Sequence, residues 1–185
     1  MAAAGATTAP KETTLDGSQV AIATKIIARG RKEGMSLEDI AFAVKVAFLE
    51  SSLGKLRSNG IAGNTSTGLY QYNNAQWDAS GAGYKKDSDD DQIAVFYKDI
   101  RKYTLRYNSL KAAKNKLIVG ITLYQYIYIK HHDGPNYDKF ADAPGKKLFD
   151  ASTFNPPKSA RADPIISPPA TTIPSFTIPS ITPPM

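Results

Sequence analysis

One carboxylate sits where a carboxylate is costly. Ile40, Ala43, Ala47, Glu50 and Gly54 follow one another at steps of three and four, so in a helix they share a face. Glu50 is the ionisable residue of that stripe. The residues one turn away, Val46, Ala47, Leu53 and Gly54, offer nothing that pairs with it. Apolar surroundings disfavour the charged form of a carboxyl group and raise its pKa. A carboxyl so tuned keeps its proton near neutral pH, as a general acid must when it protonates the leaving oxygen of a glycoside. The plainer alternative is a surface glutamate at a helix end, paired with Lys55 or Arg57.

Most glycosidases use a second carboxylate, about 5 Å away as a nucleophile or farther off as the base for a water. No Asp or Glu lies between Glu50 and Asp78, so a partner must come from Asp78, from the Asp87 to Asp91 run or from Asp133. The simplest expectation is that no nucleophilic partner exists. Downstream of Glu50, Gly68-Leu69-Tyr70-Gln71-Tyr72 alternates in a way that suits a short strand or a cleft wall, and Trp77 is placed either for burial or for sugar stacking. Farther on, Leu117, Ile121, Tyr124, Tyr128 and His131 fall on one helical stripe, four turns long, that Gly134-Pro135 ends. Adjacent histidines such as His131 and His132 point in different directions on a helix. With no cysteine and no spaced histidine to join them, no metal site and no cofactor are expected.

These strings carry a resemblance. Phe48-Leu49-Glu50-Ser51-Ser52, then Gly68-Leu69-Tyr70-Gln71, then Trp77, resemble the first motifs of the lytic transglycosylases of the soluble and goose-lysozyme-like type. Tyr128-Ile129-Lys130-His131-His132-Asp133-Gly134-Pro135 is similar to the Tyr-x-x-His-x-x-Gly-Pro segment of phage-related members. The likeness spans about residues 36 to 140 and implies a mainly α, lysozyme-like fold with a short irregular or β-like segment near the cleft. It also implies cleavage of the MurNAc-GlcNAc bond of peptidoglycan. Glu50 would be general acid and then base, and the C6 hydroxyl of the substrate would close onto C1 as a 1,6-anhydro product. Ser51, Gly68, Leu69, Tyr70, Gln71, Tyr124, Tyr128 and His131 would be the substrate-binding set. The commoner Ala-Tyr-Asn-Ala-Gly pattern is replaced here by Lys130-His131-His132-Asp133-Gly134, which leaves the part of each histidine open. A hydrolytic muramidase on the same fold, or a non-catalytic glycan-binding or virion module, are the alternatives.

Helices must position these residues. Asp16 or Ser18 caps a first helix through Val20, Ile22, Ala23, Ile26 and Ile27, and Gly30 and Gly34 mark its end. Ser36 starts the helix that delivers Glu50. Asp89, Asp90 and Asp91 start another, through Ile93, Phe96, Ile100, Tyr103 and Tyr107, which Asn108 and Ser109 should break or bend. Composition divides the 185 residues into a flexible N-terminal arm (1–16), one domain (17–154) and a Pro/Ser/Thr-rich disordered tail (155–185) that suits a linker or a docking peptide for a protein partner.

The formal charge of +6 favours an anionic partner such as a wall polymer. No basic-aromatic or Gly-rich nucleic-acid motif accompanies it, so nucleic acid is not the expected partner. No apolar run approaches the roughly 20 residues that cross a bilayer. The first residues lack the basic start and apolar core of a cleavable signal. Action in the periplasm or cell wall would then need delivery by a phage, by lysis or by a secretion apparatus.

Overall fold

The computed structural model describes residues 14–58 and 63–160. Six α-helices follow one another within them: α1 Gly17–Lys32, α2 Leu37–Ser51, α3 Asn74–Ser80, α4 Asp89–Ala112, α5 Leu123–His132 and α6 Pro144–Ala151. The chain is thus mainly helical, and no strand occurs among the described residues. None of these helices is long and apolar enough to cross a membrane. The N-terminal arm to residue 13 and the proline-rich segment from 161 onward lie outside the described residues.

The helix that carries Glu50 is the centre of the core. Ile40, Ala43, Val44, Val46 and Ala47 are fully buried, which for one helix means cover on nearly every side. Helix α1 lies against α2 and α4, α5 lies against α4, and α6 covers α5. Where α1 meets α4, the Tyr97 hydroxyl donates to the Ile26 carbonyl at 2.8 Å. Phe96 of α4 stacks on Tyr70 with ring centres 4.1 Å apart. Aromatic rings therefore join α4 to the loop that follows α2.

Local chemistry sets most starts. Asp16 caps α1 by accepting from the Gln19 amide at 3.0 Å, while the Gln19 side chain accepts from the Asp16 amide. Ser18, the other candidate cap, donates to Asp16 instead. Ser36 caps α2, and Ser88 caps α4 with Asp89, Asp90 and Asp91 in the first turn, at the positive end of the helix dipole.

Three expectations need correcting. Helix α4 runs unbroken through Asn108 and Ser109 to Ala112, because buried Ile93, Phe96, Ile100 and Tyr103 anchor it and two weak helix formers on its exposed last turns cost little. The stripe from Leu117 to His131 is not one helix. Thr122 and Gln125 form a capping box that starts α5 at Leu123, after Gly120 at φ +73°, and Leu117 is left 50% exposed. Third, the domain does not close at 154. Phe154 stacks on Phe48 at 4.0 Å, Pro156 and Ala160 are buried, and Arg31 donates to the Ser159 carbonyl at 2.8 Å. Residues 155–160 thus pack on the domain as its last piece.

Candidate active site

Helix α2 ends at Ser51, and the turn after it is left-handed: Ser52 and Leu53 have φ of 52° and 55°. That turn sends the chain back beneath the helix and leaves Glu50 on the last turn, at the edge of the core. The two cations that might have paired with it are engaged elsewhere. Lys55 reaches Asp16 at 2.5 Å, and Arg57 grips Asp89 with both guanidinium nitrogens at 2.6 and 2.9 Å. Glu50 Oε1 is buried and has no hydrogen-bond partner. An enclosed carboxyl oxygen without a partner is expensive to ionise, and burial raises the Glu50 pKa above its ordinary 4.5. His132 and the Tyr128 hydroxyl pull it down, and Asp133 pushes it up.

Glu50 opens onto a polar cleft of about 250 Å³. Gln71, Asn64 and Ser66 contribute from the loop after α2, Asn73 and Gln76 from the start of α3, and His131 and His132 from the end of α5. This cleft offers one acid, several amides and imidazole, with little apolar surface. Such a lining suits a ligand rich in hydroxyl and amide groups.

The Gly68 to Tyr72 segment is a tight turn with single bridges of Thr67 to Ser58 and to Tyr72, so of the two readings its alternation allowed, it is not a strand. Gly68 has φ +85° and Gln71 φ 50°. The Gln71 side-chain amide donates to the Gly68 carbonyl at 2.8 Å and to Leu56 at 3.2 Å, so it holds the turn shut and borders the cleft at once. Leu69 and Tyr70 are fully buried and support the turn from behind. Ser51 does the same: its hydroxyl donates to the Leu69 carbonyl at 2.7 Å and accepts from the Gly54 amide at 2.9 Å. Among the expected binding residues, Gln71 and His131 line the cleft, while Ser51, Gly68, Leu69, Tyr70 and Tyr128 do not. Ser51→Ala should therefore lower stability by about 1–3 kcal/mol in denaturant unfolding, the cost of orphaning buried partners, and leave ligand affinity unchanged. A weakened affinity at unchanged stability would instead mean that Ser51 touches the ligand.

The two tyrosines of α5 part company. Tyr128 is fully buried beside Glu50, its hydroxyl lacks a hydrogen bond of good geometry, and Glu50 adds to the burial that holds its pKa far up. Glu50 Oε1 and the Tyr128 hydroxyl are thus two neighbouring polar groups, each short of a partner. Tyr124 lies outside this cleft. It stacks on Phe42 at 4.7 Å, donates to Asp39 at 3.2 Å, and lines a separate cavity of about 400 Å³ with Phe42, Phe149 and Phe154. That larger cavity is mostly apolar, whereas the smaller cleft borders the buried, unpartnered carboxyl oxygen of Glu50 and is the one equipped for chemistry. Trp77 is buried edge-on against Tyr72 at 5.5 Å and presents no stacking face.

The histidines are also unlike each other. His131 is buried among Tyr70, Tyr72 and Phe96, and its Nε2 donates to the Tyr70 carbonyl at 2.8 Å. Burial pushes its pKa down to about 4, so it is a neutral prop. Its own carbonyl accepts from Gln76 at 2.5 Å, which ties α3 to α5 across the cleft. His132 faces Glu50's side of the helix end and is held by Asp133, with Nδ1 2.8 Å from Oδ1. Among the described residues no group of three or more His, Asp or Glu is arranged to hold a metal ion. Searches against protein-family models, curated proteins and solved structures returned no significant match.

Proposed function

We propose that this chain is a peptidoglycan lytic transglycosylase with a lysozyme-like fold, cleaving the MurNAc-GlcNAc bond and leaving 1,6-anhydro-MurNAc. The observation that carries the reading is Glu50: a carboxyl with an enclosed, unpartnered oxygen and a raised pKa, opening onto a polar cleft. A group of that kind keeps its proton at a pH where exposed carboxylates have lost theirs, and it can deliver that proton to a glycosidic oxygen. Among the described residues no second carboxylate lines the cleft, which favours a nucleophile supplied by the substrate over a glycosyl-enzyme intermediate. In the simplest form Glu50 first protonates the leaving oxygen and then takes the proton of the C6 hydroxyl as that oxygen closes onto C1. Glycan strands are the partner, and the cell wall is the place of action.

Mass spectrometry of peptidoglycan sacculi digested by the protein tests this directly. Products ending in anhydro-muramic acid are expected. Reducing muramic acid ends would make the protein a hydrolytic muramidase, and intact sacculi with bound protein would make it a glycan-binding module.

A further inference from the structure

His132, which lines the same cleft as Glu50, is paired with Asp133, and the construction of the pair is that of a base. Asp133 is 5% exposed at its side chain and is anchored by the Gly145 amide, which donates to Oδ2 at 2.9 Å and Oδ1 at 3.2 Å. Gly145 is the second residue of α6, and a Cβ there would stand 2.9 Å from Asp133 Oδ2 and 3.2 Å from His132 Cβ. The absence of a side chain at Gly145 is thus what lets α6 seat the pair. Asp133 Oδ1 in turn accepts a hydrogen bond from His132 when Nδ1 carries the proton, the tautomer that orients the ring and leaves the Nε2 lone pair free. The His132 ring lies 5.5 Å from the ring of Tyr128, whose hydroxyl neighbours Glu50, and His132 lines the same cleft as Glu50. Its side chain is 31% exposed, so it is open to a ligand in that cleft, whereas His131 spends its Nε2 on a backbone carbonyl.

We propose that His132, oriented by Asp133, is the base of the reaction, which divides between two residues the acid and base work that the simplest form assigns to Glu50 alone. The inference rests on the transglycosylase reading. Glu50 passes its proton to the leaving oxygen as the C1–O4 bond breaks. The C6 hydroxyl bonds to C1 and gives its proton to His132 Nε2. The site is left as Glu50 carboxylate and His132 imidazolium, and one proton moved from His132 to Glu50 restores it. No cofactor or redox partner is consumed. The titratable groups that face His132 are Glu50 from α2, Tyr128 and His131 from its own helix, and Asp133. Helix α6 approaches with the Gly145 backbone, its Lys146 being paired with Asp150 at 2.7 Å.

Initial rates on uncross-linked glycan strands, taken across pH for wild type, His132→Gln and Glu50→Gln, test the assignment. Wild type should give a bell, with the acid limb set by loss of the neutral imidazole and the alkaline limb by loss of the Glu50 proton. His132→Gln should keep its melting temperature and KM, lose on the order of 100-fold or more in kcat, and lose the acid limb. Long-range 1H–15N spectra of the imidazoles supply a readout without turnover: adding glycan to Glu50→Gln should shift the His132 Nε2 resonance. If His132→Gln retains wild-type kcat and its acid limb while Glu50→Gln is dead, the base assignment falls and the transglycosylase reading stands. If wild type itself releases no glycan fragment, both fall.

Discussion

Glu50→Gln should fold, melt higher than wild type at neutral pH and release glycan fragments about 100- to 10,000-fold more slowly. The two effects have one cause. Burial holds the Glu50 pKa above 4.5 in the folded protein and outweighs the opposing pull of His132 and Tyr128, while Lys55 and Arg57 are paired elsewhere. The folded state therefore keeps a proton that the unfolded state releases, and stability falls as pH rises through the window that begins at 4.5. Below that window both states are protonated and the penalty disappears. An amide has no such charge to hide, so the gain in melting temperature should grow from pH 4 to pH 8. Activity runs the other way, because Gln has no proton to give. Melting curves of both proteins at several pH values, beside product release, check the pair of outcomes. A variant that melts lower at every pH would show that the carboxyl is held by a stabilising partner, and retained activity would sink its role as acid.

Gly68→Ala should be the most damaging single-methyl change in the domain. At φ +85° any L side chain is strained, and a Cβ would stand 1.8 Å from Gln92 Nε2 and 2.6 Å from Gln92 Cδ. Gln92 has no room to yield cheaply, being 1% exposed. Its Oε1 accepts from the Tyr70 amide at 2.9 Å, and its Nε2 donates to the carbonyls of Thr67 and Lys86. Displacing it leaves those backbone groups unpaired as well as straining the turn, a loss of roughly 3 kcal/mol or more. Gly63→Ala is the matched control: φ is +81°, but nothing among the described residues lies within 4 Å of the added methyl, so the backbone cost of about 1 kcal/mol is what applies. Denaturant midpoints of the two variants separate clash from strain, and equal losses would show that Gln92 moves aside freely. The same turn carries Gln71 and the carbonyl that props His131, so surviving Gly68→Ala protein should also bind glycan weakly.

Both predictions began from residues that a reader of the sequence can find. Glu50 stands out because its neighbours at three and four residues are apolar, and Gly68 because it opens the Gly-Leu-Tyr-Gln run downstream, although only the structure showed that run to be a turn. The same is true of Asp16, Ser36 and the Asp89 to Asp91 cluster, whose capping and dipole chemistry act within one helical turn. The end of α4 was hidden, because Asn108 and Ser109 are poor helix formers locally and are overruled by the packing of Ile93 to Tyr103 earlier in the same helix. The start of α5 was hidden by an accident of spacing: Leu117 and Ile121 continue the stripe of Tyr124 and Tyr128 on paper, but Gly120 turns the chain between them.

What the sequence alone determined, then, is a helical domain built around an apolar helix with one glutamate at its end, because periodicity and caps are short-range properties of the chain. Only the tertiary structure decided which side chains share that glutamate's cleft. Successive helical residues point about 100° apart, so the rotation of α5 between α4 and α6 selects among Tyr124, Tyr128, His131 and His132. That rotation seats His131 among aromatic rings at the wall of the cleft, turns Tyr124 into another cavity, buries Tyr128 beside Glu50 and leaves His132 open to the cleft. Burial of this kind depends on how whole helices pack, and no run of neighbouring residues encodes it.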